Sequence, residues 1–264
     1  MYNNYLNFLD KNESVNIEIL PFKSNNQYCG ILEHVSIKHG TEYLELIFKE
    51  FPSINTAKIV NYCKLNDKYG DPNKYEINVN DFSIVCSPTS LRYIYHSLLI
   101  LKYIETTDCK NIVEVGCGYG GLCLAINYFI DEFQVDIDTY NIVDITEPIN
   151  LIQKYLGLHK ENMTTKMEYH DSLTYGKNIK QENLFFISNY CYTEISCEYN
   201  SNYTDNLITN VDNGFIVWQN GGNKGSYPVK DARNILKKNI VEVEEERPQT
   251  DAGYDIYKNY FVYF

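Results

Sequence analysis

Apolar residues in the second half of the chain fall into two patterns that alternate along it. Short runs rich in β-branched and aromatic residues predict buried strands, and the stretches between them carry apolar residues at helical spacing. Strands are predicted at 112–115, 140–143, 165–169, 183–187, 214–218, 240–243 and 257–264, with helices at 122–129, 149–156, 195–208 and 231–238. This alternation predicts an α/β fold with a seven-stranded, mostly parallel sheet and an antiparallel last strand.

The first 85 residues lack the alternation of strands and helices. Helical spacing predicts helices at 41–51 and 53–64, and a turn-forming cluster follows at 66–72. Another helix is predicted to start at 87–90 and to end near 106–108. We interpret residues 1–85 as a small, mainly helical N-terminal cap and residues 86–264 as the main domain. The cap is either an extension that packs on the core or a wall of a substrate pocket.

Composition and charge limit the classes of partner. The chain has 264 residues, of which 44% are hydrophobic, and a formal net charge of −12. An acidic chain without a basic patch repels phosphate backbones and anionic membrane surfaces, so we expect neither as a partner. The sequence has no apolar run of membrane-spanning length and no signal-peptide pattern, which predicts a cytoplasmic protein. The oligomeric state stays open, with a homo-oligomer among the options.

The eight cysteines are scattered and include no C-x-x-C pair. This spacing predicts reduced, mainly structural thiols and no disulfide framework. No spacing typical of metal ligands occurs either, so no metal site is expected.

A glycine-rich turn separates the first predicted strand of the sheet from the helix that follows it. Gly116, Gly118, Gly120 and Gly121 leave the backbone open to a ligand and permit positive φ angles. Glu114 lies just before them and favours S-adenosylmethionine (SAM), which has a cationic amino group and sulfonium, over a dinucleotide pyrophosphate. The structural alternative is a turn that only lets the helix pack on the sheet.

Polar residues follow the later strands, at the edge where ligands bind in open α/β sheets. Asp144 closes the second strand and can accept hydrogen bonds from ribose hydroxyls. Asp171, after the third strand, either accepts from an adenine amino group or caps a helix. The other cofactor-binding candidates are Tyr119, Ser172, Ser188 and Asn189, and the candidates for binding the second substrate are Arg92, Tyr93, Tyr190 and Asn220.

Three of the candidates lie on the helix before the first strand of the sheet. Arg92 can hold a carboxylate or phosphate with two hydrogen bonds, and His96 can take up a proton. A surface arginine and a histidine at a packing seam are equally good interpretations.

The segment V-E-V-G-C-G-Y-G-G at 113–121 resembles the first motif of class I SAM-dependent methyltransferases. Further segments resemble the sugar O-methyltransferase family in their order, namely N-D-K-Y-G-D-P (66–72), S-P-T-S-L-R-Y (87–93), I-S-N-Y-C-Y-T-E-I (187–195), G-F-I-V-W-Q-N (214–220) and E-E-E-R-P-Q-T (244–250). The resemblance covers about residue 60 to the C-terminus. It implies a Rossmann-like seven-stranded fold, SAM as cofactor, and a sugar or nucleotide-sugar hydroxyl as methyl acceptor in glycan biosynthesis. Cys191 and Gln219 depart from the usual pattern.

A hydroxyl acceptor needs a base nearby, and two residues are candidates. Glu194, in the polar loop after the fourth strand, is the first, and His96 is the second. Glu194 is equally well interpreted as an acid at the start of the next helix or as a group that orients the sugar. The alternative functions are an NAD-dependent sugar oxidoreductase, for which no catalytic group is evident, and a non-catalytic SAM-binding module.

Overall fold

The computed structural model describes residues 2–31, 33–220, 227–249 and 258–264. The chain forms two compact units, each built from several segments. The first comprises Met1–Tyr103, Gly118–Val135 and Asn150–Thr164, and the second comprises Ile104–Cys117, Asp136–Ile149 and Thr165–Phe264. The division predicted between residues 85 and 86 stays a prediction.

The first unit is mainly helical. Its helices are α1 (Tyr2–Lys11), α2 (Asn26–Cys29), α3 (Ile37–Glu50), α4 (Thr56–Asn66), α5 (Pro88–Ile104, whose last residue belongs to the second unit), α6 (Gly121–Phe129) and the greater part of α7 (Thr146–Gly157). Side-chain caps explain where two of them start, because Ser36 accepts from His39 N–H at 3.1 Å and Asn55 from Ala57 N–H at 2.8 Å. These caps shift α3 and α4 by a few residues from the predicted bounds.

The first unit also contains a hairpin that the sequence analysis missed. Strands β1 (Tyr75–Val79) and β2 (Phe82–Cys86) pair antiparallel. Their turn has Asn80 at a φ of 51°, a conformation that asparagine tolerates in tight hairpin turns. The alternation of buried and exposed residues in both strands was a usable signal, but helical spacing before and after it dominated the prediction.

Aromatic side chains form much of the core of the first unit. The ring of Tyr119 lies 5.0–6.0 Å, centroid to centroid, from the rings of Phe22, Tyr28, Tyr93 and Tyr155. Such tilted and edge-to-face pairs stabilise a core beyond the apolar area that they bury. The tyrosine of the glycine-rich turn is therefore a core residue of this unit.

The second unit contains the seven-stranded sheet. Its strands are β3 (Asn111–Val115), β4 (Thr139–Asp144), β5 (Lys166–Asp171), β6 (Leu184–Asn189), β7 (Asn213–Gln219), β8 (Glu242–Glu245) and β9 (Asn259–Tyr263). Their order across the sheet is β5-β4-β3-β6-β7-β9-β8, and β9 pairs antiparallel with both of its neighbours while the strands from β5 to β7 pair in parallel. The predicted Rossmann-like, mostly parallel sheet with an antiparallel last strand is confirmed.

One face of this sheet packs on a contiguous apolar cluster within the second unit. Val113, Val143 and Trp218 belong to it, together with residues of helices α8 (Cys197–Asn206) and α9 (Ala232–Leu236). The indole N–H of Trp218 donates to Tyr227 O at 2.8 Å, which satisfies the one polar atom of this buried ring. β3 and β4 are buried at every position, and this explains their continuous apolar appearance in the sequence. In the described part of the chain, no helix has the length and apolar character needed to cross a membrane.

Candidate functional site

The parallel strands of the second unit bring several predicted site residues to one edge of the sheet. Strands β5, β4, β3, β6 and β7 are neighbours in that order, so their carboxyl ends lie along the same edge. Asp144 at the end of β4 is directly opposite Asp171 at the end of β5, and Val115 is opposite Val143. This edge is where the sequence analysis placed the cofactor.

Glu114 is a buried acid whose carboxyl group accepts a hydrogen bond from the neighbouring strand. The hydroxyl of Tyr140, on β4, donates to Glu114 Oε2 at 2.6 Å, and the side chain of Glu114 is only 2% exposed. Burial raises the pKa of Glu114 to about 8, against the opposing effect of the Tyr140 hydrogen bond. At neutral pH the protonated form therefore predominates when no cation lies beside it.

Asp144 joins the end of β4 to the glycine-rich turn. Its Oδ2 accepts from Cys117 N–H at 2.8 Å and its Oδ1 accepts from Ile145 N–H at 2.8 Å. Burial raises the pKa of Asp144 to about 6, although both backbone hydrogen bonds favour the ionised form. Each carboxylate oxygen keeps a lone pair for a further donor, so Asp144 can still accept hydrogen bonds from a ribose.

Gly116 is needed here for two reasons, a positive φ, which the sequence analysis expected, and a close contact, which it did not. Its φ is 79°, and a methyl group built on its Cα would overlap Cβ and Sγ of Cys191. The side of Gly116 that a Cβ would occupy is therefore covered by a cysteine from the loop after β6, and cofactor binding by this glycine stays a prediction. Burial raises the pKa of the Cys191 thiol well above its ordinary value, so it is a neutral packing group.

Two of the predicted cofactor-binding residues have structural partners. The Ser188 hydroxyl donates to Val115 O at 2.9 Å and accepts from Tyr192 N–H at 3.1 Å, so it ties the ends of β3 and β6 together. Asp171 accepts from Leu173 N–H at 2.7 Å and caps the short 3-10 helix that starts at Ser172. The capping interpretation of Asp171 describes its contacts, and binding to adenine stays a prediction.

Glu194, the first candidate for the base, is exposed in the loop after β6. Its Oε1 accepts from the side-chain amide of Gln219 at 2.8 Å, and Thr193 accepts from Gln219 N–H at 3.1 Å. Gln219 ends β7, the strand next to β6, so its side-chain amide lies beside the candidate base. Gln219 is one of the two residues that depart from the sugar O-methyltransferase pattern. Of the two residues that depart from that pattern, Cys191 thus lies beside Gly116 and Gln219 lies beside Glu194.

The predicted substrate-binding residues Tyr190 and Asn220 also have defined partners. Tyr190 has a φ of 64°, and its hydroxyl donates to the buried carboxylate of Glu246, which also accepts from the Asn259 side chain at 2.8 Å. Asn220 accepts from Val229 N–H at 2.7 Å. Asn189 is partly buried at the end of β6. Glu246 was missed because nothing in its local sequence shows that it faces Tyr190.

The remaining predicted residues lie in the first unit. The Tyr119 hydroxyl donates to Asn66 Oδ1 at 3.1 Å, and its ring is fully buried, so only its backbone remains for a cofactor. Arg92 and Tyr93 are buried on α5. His96 is 1% exposed between the rings of Tyr43 and Tyr95, and burial and Arg92 hold its pKa well below its ordinary value.

The interpretation of Arg92 as a surface residue is wrong, because Arg92 is buried, as is His96. Both are in the interior, where a residue contacts its neighbours on all sides of the helix. The placement of His96 matches the packing-seam interpretation, and its role as a base stays a prediction. Gly118 and Gly120 have φ values of 62° and 91° in the turn that leads to α6.

Among the residues that the structure describes, no group of three or more His, Cys, Asp or Glu side chains is placed to hold a metal ion. The cationic and hydroxyl-bearing parts of SAM, by contrast, fit the acids at the ends of β3 and β4. The Cys191 side chain, from the loop after β6, closes one side of the glycine-rich turn at Gly116.

Solved structures similar to this chain include two methyltransferases and the protein TehB. The methyltransferase domain of bacterial CtHen1 has a TM-score of 0.48 at 11% identity, covering 64% of this chain and 96% of that chain. TehB from Haemophilus influenzae has a TM-score of 0.48 at 12% identity, covering 74% of this chain and 77% of that chain. A SAM-dependent methyltransferase from Aquifex aeolicus has a TM-score of 0.47 at 13% identity, covering 66% of this chain and 91% of that chain. Similarities of this size carry no argument about activity.

No curated protein matches the sequence. The family model that matches residues 91–248 is described as mitochondrial small ribosomal subunit Rsm22, and it is a different family from the sugar O-methyltransferases that the motifs resemble. Because the match covers more than half of the chain, the protein belongs to the Rsm22 family.

Proposed function

We propose that the chain binds SAM at the carboxyl ends of β3 and β4 and transfers its methyl group to an acceptor. The observation that supports this most directly is the pair of buried acids, Glu114 and Asp144, beside the glycine-rich turn. Burial raises their pKa values to about 8 and about 6, and neither carboxyl group has a cationic partner among its described contacts. A cationic ligand supplies that partner.

In this proposal Glu114 pairs with the ammonium group of SAM and Asp144 accepts hydrogen bonds from its ribose. A neighbouring positive charge lowers the pKa of a carboxyl group, so binding drives Glu114 to lose its proton. SAM, when bound, supplies the methyl group as an electrophile on sulfur. The part of the protein is to orient the two substrates and to receive the proton of the acceptor.

Cys191 limits where the cofactor can lie. Since its side chain covers Gly116, the ligand contacts the turn from the side of Asp144 and Cys117. A dinucleotide fits this arrangement poorly, because a pyrophosphate here would place its negative charge beside the carboxylate of Asp144.

Two classes of methyl acceptor have separate support. The ordered motifs support a sugar hydroxyl, with Glu194 as the base held by Gln219. The family description supports a component of the small ribosomal subunit. The net charge of −12 opposes binding to an RNA backbone and therefore favours a protein component within the second class.

Calorimetry with SAM, S-adenosylhomocysteine and NAD tests the cofactor. At pH 7, titration in two buffers of different ionisation enthalpy should show SAM binding with release of up to one proton per site, since Glu114 is mostly protonated before binding. Glu114→Gln should weaken binding and abolish the release, whereas the exposed Glu182→Gln should leave both unchanged. Tight binding of NAD without SAM binding would contradict the proposal and favour the oxidoreductase alternative.

Labelled SAM then tests methyl transfer. The two acceptor sets are a panel of nucleotide-sugars and purified small ribosomal subunits, with products analysed by mass spectrometry for one added methyl group. For a hydroxyl acceptor, Glu194→Gln should lower turnover about 10²-fold while SAM affinity stays within about twofold. Retained turnover would remove Glu194 as the base. SAM binding without transfer to either set would favour the non-catalytic module.

A further inference from the structure

Strand β8 forms one end of the sheet in the described part of the chain. It pairs with β9 on one side, and its residues are mostly exposed on both faces. Val241 and Val243 are 66% and 44% exposed, which is unusual for valines in and beside a strand. An end strand with exposed apolar side chains is a template on which another strand can pair.

The hydrogen-bond alternation of β8 shows which main-chain groups face outward. Glu246 N–H donates to Asn259 O at 2.9 Å, while the register places Glu245 opposite Tyr260 and Val243 opposite Val262. In an antiparallel pair, successive residues direct their N–H and C=O groups alternately toward and away from the partner. The main-chain groups of Val243 and Glu245 therefore point away from β9.

The charges along this strand are acidic. Three of its four residues are glutamates, namely Glu242, Glu244 and Glu245. Two of these glutamates form ion pairs at the surface, Glu244 with Arg247 at 3.3 Å and Glu245 with Lys258 at 2.8 Å. Exposed ion pairs of this kind contribute little free energy, so a basic partner can replace them. At the other end of the sheet, β5 has Lys166 paired with Glu168, and its residues are more buried.

We propose that β8 is a docking strand for an extended, lysine- or arginine-rich segment of a partner protein, which adds to the sheet edge. Main-chain hydrogen bonds to Val243 and Glu245 supply the pairing, and the three glutamates select basic side chains. A second copy of this chain is disfavoured, because two β8 strands would bring their glutamates together. RNA is disfavoured because its phosphates carry the same sign of charge.

The test uses the full chain and a fluorescent peptide of alternating lysine and valine, about ten residues long. Its binding is measured by anisotropy, with a glutamate–valine peptide and a single-stranded RNA of similar length as comparisons. The readout is binding alone, so it does not depend on the proposed methyl transfer. We expect the basic peptide to bind, and the two comparison ligands to bind at least about tenfold more weakly.

Three variants separate strand addition from general charge attraction. The triple variant Glu242→Lys, Glu244→Lys, Glu245→Lys should weaken binding at least about tenfold. The matched triple Asp136→Lys, Asp138→Lys, Glu182→Lys makes the same change of net charge at other exposed positions of the second unit and should have a much smaller effect. Val243→Pro removes an outward N–H without removing a donor to β9 and should abolish binding.

Hydrogen exchange on the unmodified protein keeps the proposal testable if Val243→Pro fails to fold. Peptide addition should slow exchange of the Val243 and Glu245 amides. Equal weakening by both triple variants, an unchanged exchange rate at these two amides, or preferential binding of the RNA would each overturn the proposal.

Discussion

At the scale of single residues, the pair of Glu114 and Tyr140 decides how the candidate site responds to pH. A carboxyl group that is buried with one hydroxyl donor at 2.6 Å gains one good hydrogen bond but loses most of its hydration. The loss is larger, and the pKa rises to about 8. Asp144 keeps a lower pKa of about 6, because two backbone N–H groups favour its ionised form.

The raised pKa of Glu114 predicts a loss of stability as pH increases. Between about pH 4.5 and about pH 8 the unfolded chain releases this proton while the folded chain keeps it, so the free energy of unfolding falls through that window. The fall is ~1.4 kcal/mol per pH unit where Glu114 dominates. Urea unfolding of the protein and of Glu114→Gln at pH 5 and pH 8.5 measures it.

The variant should be the more stable protein at the higher pH, and its advantage should shrink toward pH 5. Glu182→Gln, exposed on the surface, is the control for the substitution itself. A difference between the protein and Glu114→Gln that does not vary with pH would show that Glu114 ionises normally.

Gly116 gives a second prediction at this scale. Gly116→Ala should destabilise the second unit for two reasons, the φ of 79° and the overlap of the new methyl group with Cys191. Adding Cys191→Gly removes only the overlap, so the double variant should be less destabilised than the sum of the single variants. A double-mutant cycle of unfolding free energies measures the coupling. Strictly additive effects would mean that Cys191 does not pack on Gly116 in solution.

At the scale of elements, the C-terminal turn of α4 is held by one buried amide. The Asn66 side chain donates to Ser90 Oγ at 2.7 Å and accepts from Tyr155 Oη at 2.8 Å, and it exchanges hydrogen bonds with the Tyr119 hydroxyl. The Lys23 ammonium donates to the main-chain oxygen of Asn66. Asn66 thus links α4, α5, α7 and the glycine-rich turn within the first unit.

Asn66→Ala should therefore cost about 3 kcal/mol of unfolding free energy, because several buried donors and acceptors lose their partner. Asn61→Ala is a matched control on the same helix. Asn61 is exposed, and alanine favours helix, so that variant should be neutral or slightly stabilised. Chemical denaturation of both variants makes the comparison. Equal stability of the two variants would show that the amide network contributes nothing net.

The elements also show how far the sequence was informative. Each of the seven sheet strands was predicted within about three residues, because buried parallel strands such as β3 and β4 give continuous apolar runs. The β1–β2 hairpin was missed, because two five-residue strands with half their positions exposed give a weaker signal. Helix α1 has no counterpart among the predicted elements.

For the candidate site, the sequence showed which residues end the strands but not what they contact. Glu114 and Asp144 were predicted from their positions beside the turn. Tyr140 was not, because its contact with Glu114 depends on the register between β3 and β4. The cover of Cys191 over Gly116 joins residues far apart in sequence, and only the fold brings them together.

At the scale of the whole molecule, ligand binding should appear as added stability. A ligand that binds only the folded protein stabilises it by ~2.7 kcal/mol at one hundred times its dissociation constant. SAM should therefore raise the melting temperature in a thermal-shift assay, and NAD at the same concentration should not. Asp144→Asn should reduce the SAM effect, with the exposed Asp138→Asn as control. A larger shift with NAD would contradict the assignment of the cofactor.

The family assignment concerns the location and the acceptor of the protein, whereas its charge concerns the class of partner. The Rsm22 description names the small mitochondrial ribosomal subunit, whereas the sequence analysis predicted a cytoplasmic protein that acts on sugars. Both the location and the sugar acceptor stay predictions. The excess of acidic residues, in contrast, is a property of the chain itself and favours basic protein partners over nucleic acid.

The position of β9 between β7 and β8 has a consequence for synthesis. In the strand order of the described residues, β8 is joined to the sheet through β9, which the ribosome translates later. Residues 242–245 of a nascent chain therefore have no β9 to pair with until residues 259–263 have emerged from the exit tunnel. A partner that recognises the finished edge would encounter it only on chains translated beyond β9, so binding would discriminate against products that stop before this strand.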